Sequence, residues 1–194
     1  MKIRTWSVLA IFAFVASLAT AQEQMDEKAM MDAMVKAATP GEPHKKLDPF
    51  VGTWNVSTKM WNAPGTPPSE GTGSATARWV LGGRYVEQQF TGDFMGMPFN
   101  GLGYTGYDNV KKQYVGTWMD SFSTGIMVSA GVADQSGKVM AFAGTMDDPM
   151  TGQTMRMDQK IIVIDNDKHI MEGWMPGQDG KPFKMMELTY TRKK

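Results

Sequence analysis

The chain has 194 residues, with 20 basic and 20 acidic side chains in balance and no cysteine. Apart from the terminal Arg192-Lys193-Lys194 there is no basic stripe, which argues against nucleic acid as a partner. Without cysteine there are no disulfides, no thiolate metal sites and no lipid-modified N-terminal thiol.

The first segment reads as an address. Lys2 and Arg4 precede an apolar run from Trp6 to Leu18, which ends in Ala19-Thr20-Ala21 before the polar Gln22-Glu23-Gln24. A basic start, a short apolar centre and small residues at the end are the parts of a cleaved secretory signal. The run is too short to span a bilayer comfortably. The pattern predicts a signal at 1–21, a helix and linker at 22–43 and one domain at 44–194. It places the mature protein in the periplasm or outside the cell, with no membrane span after cleavage.

Met25 to Ala38 predicts a short amphipathic helix. Asp26 and Glu27 lie in its first turn and Lys36 near its end, in the sense the helix dipole favours. Met30, Ala33, Met34 and Ala37 fall on one face. Thr39-Pro40-Gly41 stops it. The stripe could be a lid or a docking face; the plainer reading is packing within the protein.

From Phe50 the period changes to two. Trp54, Val56, Thr58 and Met60 alternate with Asn55, Ser57, Lys59 and Trp61, as in a strand between two environments. Further strands are predicted at 70–80, 83–95, 98–108, 111–120, 124–133, 137–147, 153–165, 168–176 and 181–192. Turn chemistry separates them, as in Gly82-Gly83, Asp108-Asn109, Gln135-Ser136-Gly137 and Asp165-Asn166-Asp167. Such short connections force antiparallel pairing, because a parallel crossover needs about a dozen residues. Roughly ten strands in one meander leave exposed edges unless the sheet closes. The expectation is an all-β, up-and-down barrel preceded by one helix, with a β-sandwich as the alternative.

Several motifs carry a family resemblance. His44-Lys45-Lys46-Leu47 leads into Phe50-Val51-Gly52-Thr53-Trp54. Leu81-Gly82-Gly83-Arg84-Tyr85, Pro98 to Tyr104, Gly106-Tyr107-Asp108-Asn109, Thr117-Trp118-Met119-Asp120, Ser123-Thr124-Gly125 and Met186 to Arg192 follow in order. The run from 44 to 192 resembles a bacterial exported family known as domain of unknown function 1579. The layout is similar to calycin barrels of the lipocalin and fatty-acid-binding kind. That likeness implies that Trp54 on the first strand and Arg192 on the last close one barrel end, through a cation–π contact. It implies no activity.

Candidate chemistry is sparse. Gly101 to Gly106 fits G-x-G-x-x-G, but a turn and another strand follow it where a dinucleotide site needs a helix; the glycines more simply let a strand bend. Val51-Gly52-Thr53-Trp54 recurs as Val115-Gly116-Thr117-Trp118, each with a glycine two residues before a tryptophan over which a ring could lie. Nineteen methionines are scattered over the segments. Met95, Met97, Met155 and Met157 form two pairs at strand spacing, and thioethers suit Cu(I); adaptable filler or pocket lining is the plainer reading, and sacrificial oxidation a third. His44 and His169 are the only histidines. His169, with Met171 on the same strand face, could ligate haem iron, or it is a solvent-facing or hydrogen-bonded histidine near a turn.

No serine lies in a G-x-S-x-G elbow. Asp120 shares a strand face with Trp118, Gly116 and Tyr114. Glu87, Glu172 and Glu187 could join it in acid–base work if their strands also point them inward; otherwise they are solvated or pair with Arg84 and Arg156. The function these residues favour is binding of a small apolar molecule inside the barrel, without catalysis, lined by Tyr114, Trp118 and Asp120. The alternatives are a structural or interaction protein with a filled core, and a carboxylate enzyme. An empty interior of about 300 Å³ or more would separate the first two.

Overall fold

The computed structural model describes residues 25–94, 96–148, 151–177 and 180–194. It divides into two compact units, one ending at Thr39 and the other spanning Pro40–Lys194. The signal predicted at 1–21 lies outside the described residues. In the first unit, residues 25–38 form helix α1. An exposed Lys28–Asp32 pair at 2.6 Å joins successive turns of it. Among the described residues no helix is long and apolar enough to cross a membrane.

The second unit opens with α2 (Glu42–Lys45) and a single 3-10 turn (Asp48–Phe50). Ten strands follow: β1 (Gly52–Met60), β2 (Ser69–Val80), β3 (Tyr85–Phe94), β4 (Met97–Asp108) and β5 (Gln113–Asp120). The rest are β6 (Met127–Ala133), β7 (Val139–Asp147), β8 (Thr154–Asp165), β9 (Lys168–Pro176) and β10 (Pro182–Arg192). Each pairs antiparallel with its chain neighbours, and β1 pairs with β10, so the sheet closes as a barrel and not as a sandwich. Closure leaves no free edge to template association.

Alternation fixes which residues fill the barrel. In β1, Trp54 and Val56 are buried while Thr53, Asn55 and Ser57 are exposed. Register carries that parity from strand to strand, because directly opposed residues share a face. Trp54 opposes Ala75 and Arg192, Ala75 opposes Phe90, Phe90 opposes Gly101, and Gly101 opposes Asp120. A bulge between Lys184 and Met186 breaks the parity in β10. It turns Lys184 outward to meet Glu187 at 2.6 Å and Glu172 at 3.5 Å.

Arg192 joins the ends of the sheet. Its guanidinium carbon lies 4.2 Å from the Trp54 ring centroid. Its nitrogens donate to the carbonyls of Val51, Pro49 and Asn166 at 2.8, 3.3 and 2.6 Å. The Trp54 indole N–H donates to the Phe50 carbonyl at 2.9 Å. Gly52, at φ 142°, is required here, since a Cβ would overlap the guanidinium. This arrangement holds the 3-10 turn and the β8–β9 turn against the start of β1.

Candidate functional site

Two buried clusters fill the interior at different heights. One gathers Leu47, Ala77, Val86, Tyr114, Met140 and Phe142, with Phe50 and Val51 packed on it. Leu47 and Met140 are wholly buried. Because Leu47, Phe50 and Val51 precede β1, the 42–51 segment is a plug seated in the end where β1 begins. The Tyr114 hydroxyl donates to the Pro43 carbonyl at 2.9 Å and ties the plug to β5.

The other end is built differently. Inward positions there belong to Met60, Met127, Met146, Met155 and Met186, all partly exposed despite facing inward. Phenylalanines complete the rim. Phe99 lies 5.8 Å from Phe90 and 5.5 Å from Phe122, and Phe94 lies 5.6 Å from Phe122. Phe122, in the β5–β6 loop, is 45% exposed. Inward apolar side chains that still meet solvent define a mouth.

Tyr114, Trp118 and Asp120 share the inward face of β5, but the barrel does not bring them to one place. Tyr114 is sealed beneath the plug, 5.0 Å from Tyr107 in an edge contact. Trp118 and Asp120 lie toward the mouth and are partly exposed. The Trp118 N–H donates to Asp120 Oδ2 at 3.0 Å, and the Phe122 backbone N–H donates to Asp120 Oδ1 at 3.0 Å. Asp120 therefore orients both the indole and the loop carrying Phe122.

The Trp118 ring lies over Gly101 and Gly103 of β4, where a Cβ on either would overlap it. The sequence suggests a ring over the glycine two residues before it, Gly116. The structure corrects this: the Ser129 hydroxyl occupies that space, and the bare backbone under the indole belongs to the neighbouring strand. The G-x-G half of the Gly101–Gly106 run is thus a seat for an aromatic wall.

Among the described strand residues, Asp120 is the one carboxylate on the inward face. Glu87, Glu172 and Glu187 all face outward. Glu87 accepts from Arg78 at 2.9 Å, from the Tyr104 hydroxyl at 3.0 Å and from Gln89 at 3.2 Å. The Arg78 bond is the largest influence holding its carboxyl below the usual range, and Tyr104 adds to it. Glu172 and Glu187 pair with Lys184. Their partners are Arg78 and Lys184, not the Arg84 and Arg156 read from the sequence.

His169 does not face solvent. It is 6% exposed and its Nδ1 has no partner. The ring stacks on Tyr190 at 4.3 Å and meets Trp54 and Phe50 edge-on at 4.5 and 5.2 Å. Burial, with a smaller push from Arg192, lowers its pKa from 6.5 to about 4. Burial also pushes Tyr190 up to about 12. The imidazole is therefore a neutral packing element at neutral pH.

A cavity of about 50 Å³ lies between Phe50, Trp54, Val86, Gln88, Thr105 and Ile161. That is room for water and not for an organic ligand. A groove of about 470 Å³ lies at the end where β1 stops, between Trp61, Pro64, Phe183 and Lys184. Met155 and Met157 face inward on β8, Met97 is 48% exposed at the start of β4, and Met95 lies outside the described residues. Among the described residues no three His, Asp or Glu side chains gather as metal ligands.

Comparison with solved structures points to the barrel. Rv2717c from M. tuberculosis aligns with 80% of this chain and 100% of its own, at 14% identity and a TM-score of 0.57. A redesigned β-barrel, b11L5F_LGL, aligns with 82% of this chain and 96% of its own, at 14% identity and a TM-score of 0.41. At such identities the first likeness speaks for the fold alone. No curated protein matches the chain. The family described as a protein of unknown function, DUF1579, matches residues 39–192, from the end of α1 to the last residue of β10, and the chain belongs to it.

Proposed function

We propose that this barrel binds a small, mostly apolar molecule through its methionine-rimmed mouth, without catalysing a reaction on it. One observation carries the reading. Inward-facing methionines and phenylalanines stay partly exposed at that end, while the plugged end is sealed. Flexible thioethers adapt to varied apolar shapes. Trp118, seated on bare backbone and held by Asp120, supplies a flat wall. The remaining lone pairs of Asp120 supply one acceptor for a hydroxyl or ammonium on the ligand. A single inward carboxylate, already engaged in orienting its neighbours, supports binding over paired acid–base chemistry.

Titration with 1-aminoanthracene, a neutral fluorescent apolar probe, tests this. The expected result is saturable, one-to-one binding, weakened at least tenfold by Met155→Lys and unchanged by Thr76→Lys on the outer wall. Binding that fails to saturate, or that Met155→Lys leaves intact, would overturn it. Export is part of the same reading. Protein recovered from its own host should have an intact mass beginning at Gln22, and a mass retaining Met1 would contradict export.

A second reading rests on the cavity of about 50 Å³ inside the barrel, beside the plug. A barrel filled to that degree serves as an interaction scaffold, with partners on its outer surfaces. It predicts no saturable uptake of the same probe.

A further inference from the structure

The outer wall of this barrel has two unlike halves. On β1 the outward side chains are Thr53, Asn55, Ser57 and Lys59, an ordinary solvated face. On β6 they are Val128, Ala130 and Val132, and on β7 Ala141, Ala143 and Thr145. Val128 is 59% exposed and Val132 63% exposed. Outward positions of β5 from 113 to 119, and of β4 from 100 to 106, carry no charge either. Four adjacent strands thus present an uncharged wall in which Leu102, Val115, Met119, Val128, Val132 and three alanines outnumber the polar Asn100, Gln113, Thr117 and Thr145. Scattered exposed apolar residues are ordinary, but a contiguous patch marks a contact surface.

We infer that the β4–β7 wall is the interface of a homodimer, two copies packing face to face about a two-fold axis. Three features favour a second copy as occupant. First, an isologous contact requires a patch to complement itself. An uncharged wall does so without the like-charge repulsion that any charged face would meet.

Second, the connections at the two ends of the wall differ in charge, while on the flanking β8 Arg156 is paired with Asp158. The turns at the plugged end carry Lys111, Lys112 and Lys138 against Asp108 and Asp134, while the β7–β8 connection at the mouth end carries Asp147 and Asp148. A two-fold axis in the interface and perpendicular to the strands lays the net positive end of one copy over the acidic end of the other. The same operation places Val128 of one copy opposite Val132 of its mate, on either side of Ala130.

Third, the area fits a modest dimer. Four strands about 4.8 Å apart and about six residues long offer roughly 400 Å² per copy in projection. The total of about 800 Å² is below the ordinary size of a stable interface, which fits a weak, readily dissociating dimer. A lipid surface is a poorer fit, because a membrane barrel needs its apolar band on every strand, and β1 has none.

Sedimentation equilibrium of the purified protein, from about 1 to about 500 µM, tests the inference. The expected result is a reversible monomer–dimer equilibrium. Val128→Lys with Val132→Lys should weaken it at least tenfold, and Asn55→Lys with Ser57→Lys should leave it unchanged. Both substituted pairs face solvent, and far-UV circular dichroism checks that they fold. A folding-independent readout uses the cysteine-free background. A nitroxide on Val132→Cys should show an inter-copy distance below about 25 Å, and one on Ser57→Cys a longer distance. A monomer at every concentration, a dimer indifferent to the wall lysines, or α1 of the same chain occupying the wall would overturn it.

Discussion

At the end where β1 begins, the 42–51 segment drives Leu47 into the barrel, and the inward side chains around it are buried. At the end where β1 stops, the inward side chains are methionines and phenylalanines that still touch water. Both ends use the same antiparallel ladder and the same alternation. The difference comes from ten residues of preceding chain, locked in place by Arg192, Trp54 and the Tyr114 hydroxyl. A closed barrel has two openings, and filling one from the chain's own entry segment leaves the other for something else.

If the plugged end carries the stability, truncating its centre should cost most. Leu47→Ala or Met140→Ala should each lose about 2–5 kcal/mol in denaturant unfolding, because each empties a fully buried position. A loss below about 1 kcal/mol would mean the plug is dispensable.

His169 makes the same end sensitive to acid. Unfolded, its imidazole titrates near 6.5; folded, near 4. Between those values the unfolded chain binds more protons. Stability from this group is complete above pH 6.5 and falls as the pH drops toward 4, by about 3 kcal/mol in all. His169→Phe should flatten that slope in a pH series of unfolding curves. An unchanged slope would move the acid sensitivity elsewhere.

Arg192→Lys keeps the charge and removes the fork that reaches three carbonyls. It should cost about 2 kcal/mol and increase amide exchange of residues 48–52 specifically. The smallest stability change belongs to the mouth. Met146→Ala should cost under about 1 kcal/mol, since that side chain is already partly exposed, yet weaken 1-aminoanthracene several-fold.

The strands were legible in the sequence because alternation and turn residues are local signals. All ten lie within three residues of their expected limits. The shared inward face of Tyr114, Trp118 and Asp120 was legible for the same reason, since period two fixes it once one member is buried. Their separation into sealed and accessible levels was not. It depends on where Leu47 and Pro43 fold back, a contact between distant residues. The burial of His169 was also hidden. Lys168, His169, Ile170, Met171 and Glu172 give no clean alternation, and only the register with Tyr190 and Val163 puts the imidazole inside. The seat of Trp118 on Gly101 and Gly103 needed cross-strand register for the same reason.

The contrast between the two ends can be read from the methionines themselves. In protein labelled with ¹³C at the methionine methyls, 1-aminoanthracene should shift the signals of Met60, Met127, Met146, Met155 and Met186 at the mouth. Met140 beneath the plug and Met119 on the outer wall should stay in place. Shifts confined to Met119, or as large at Met140 as at the mouth, would contradict the account.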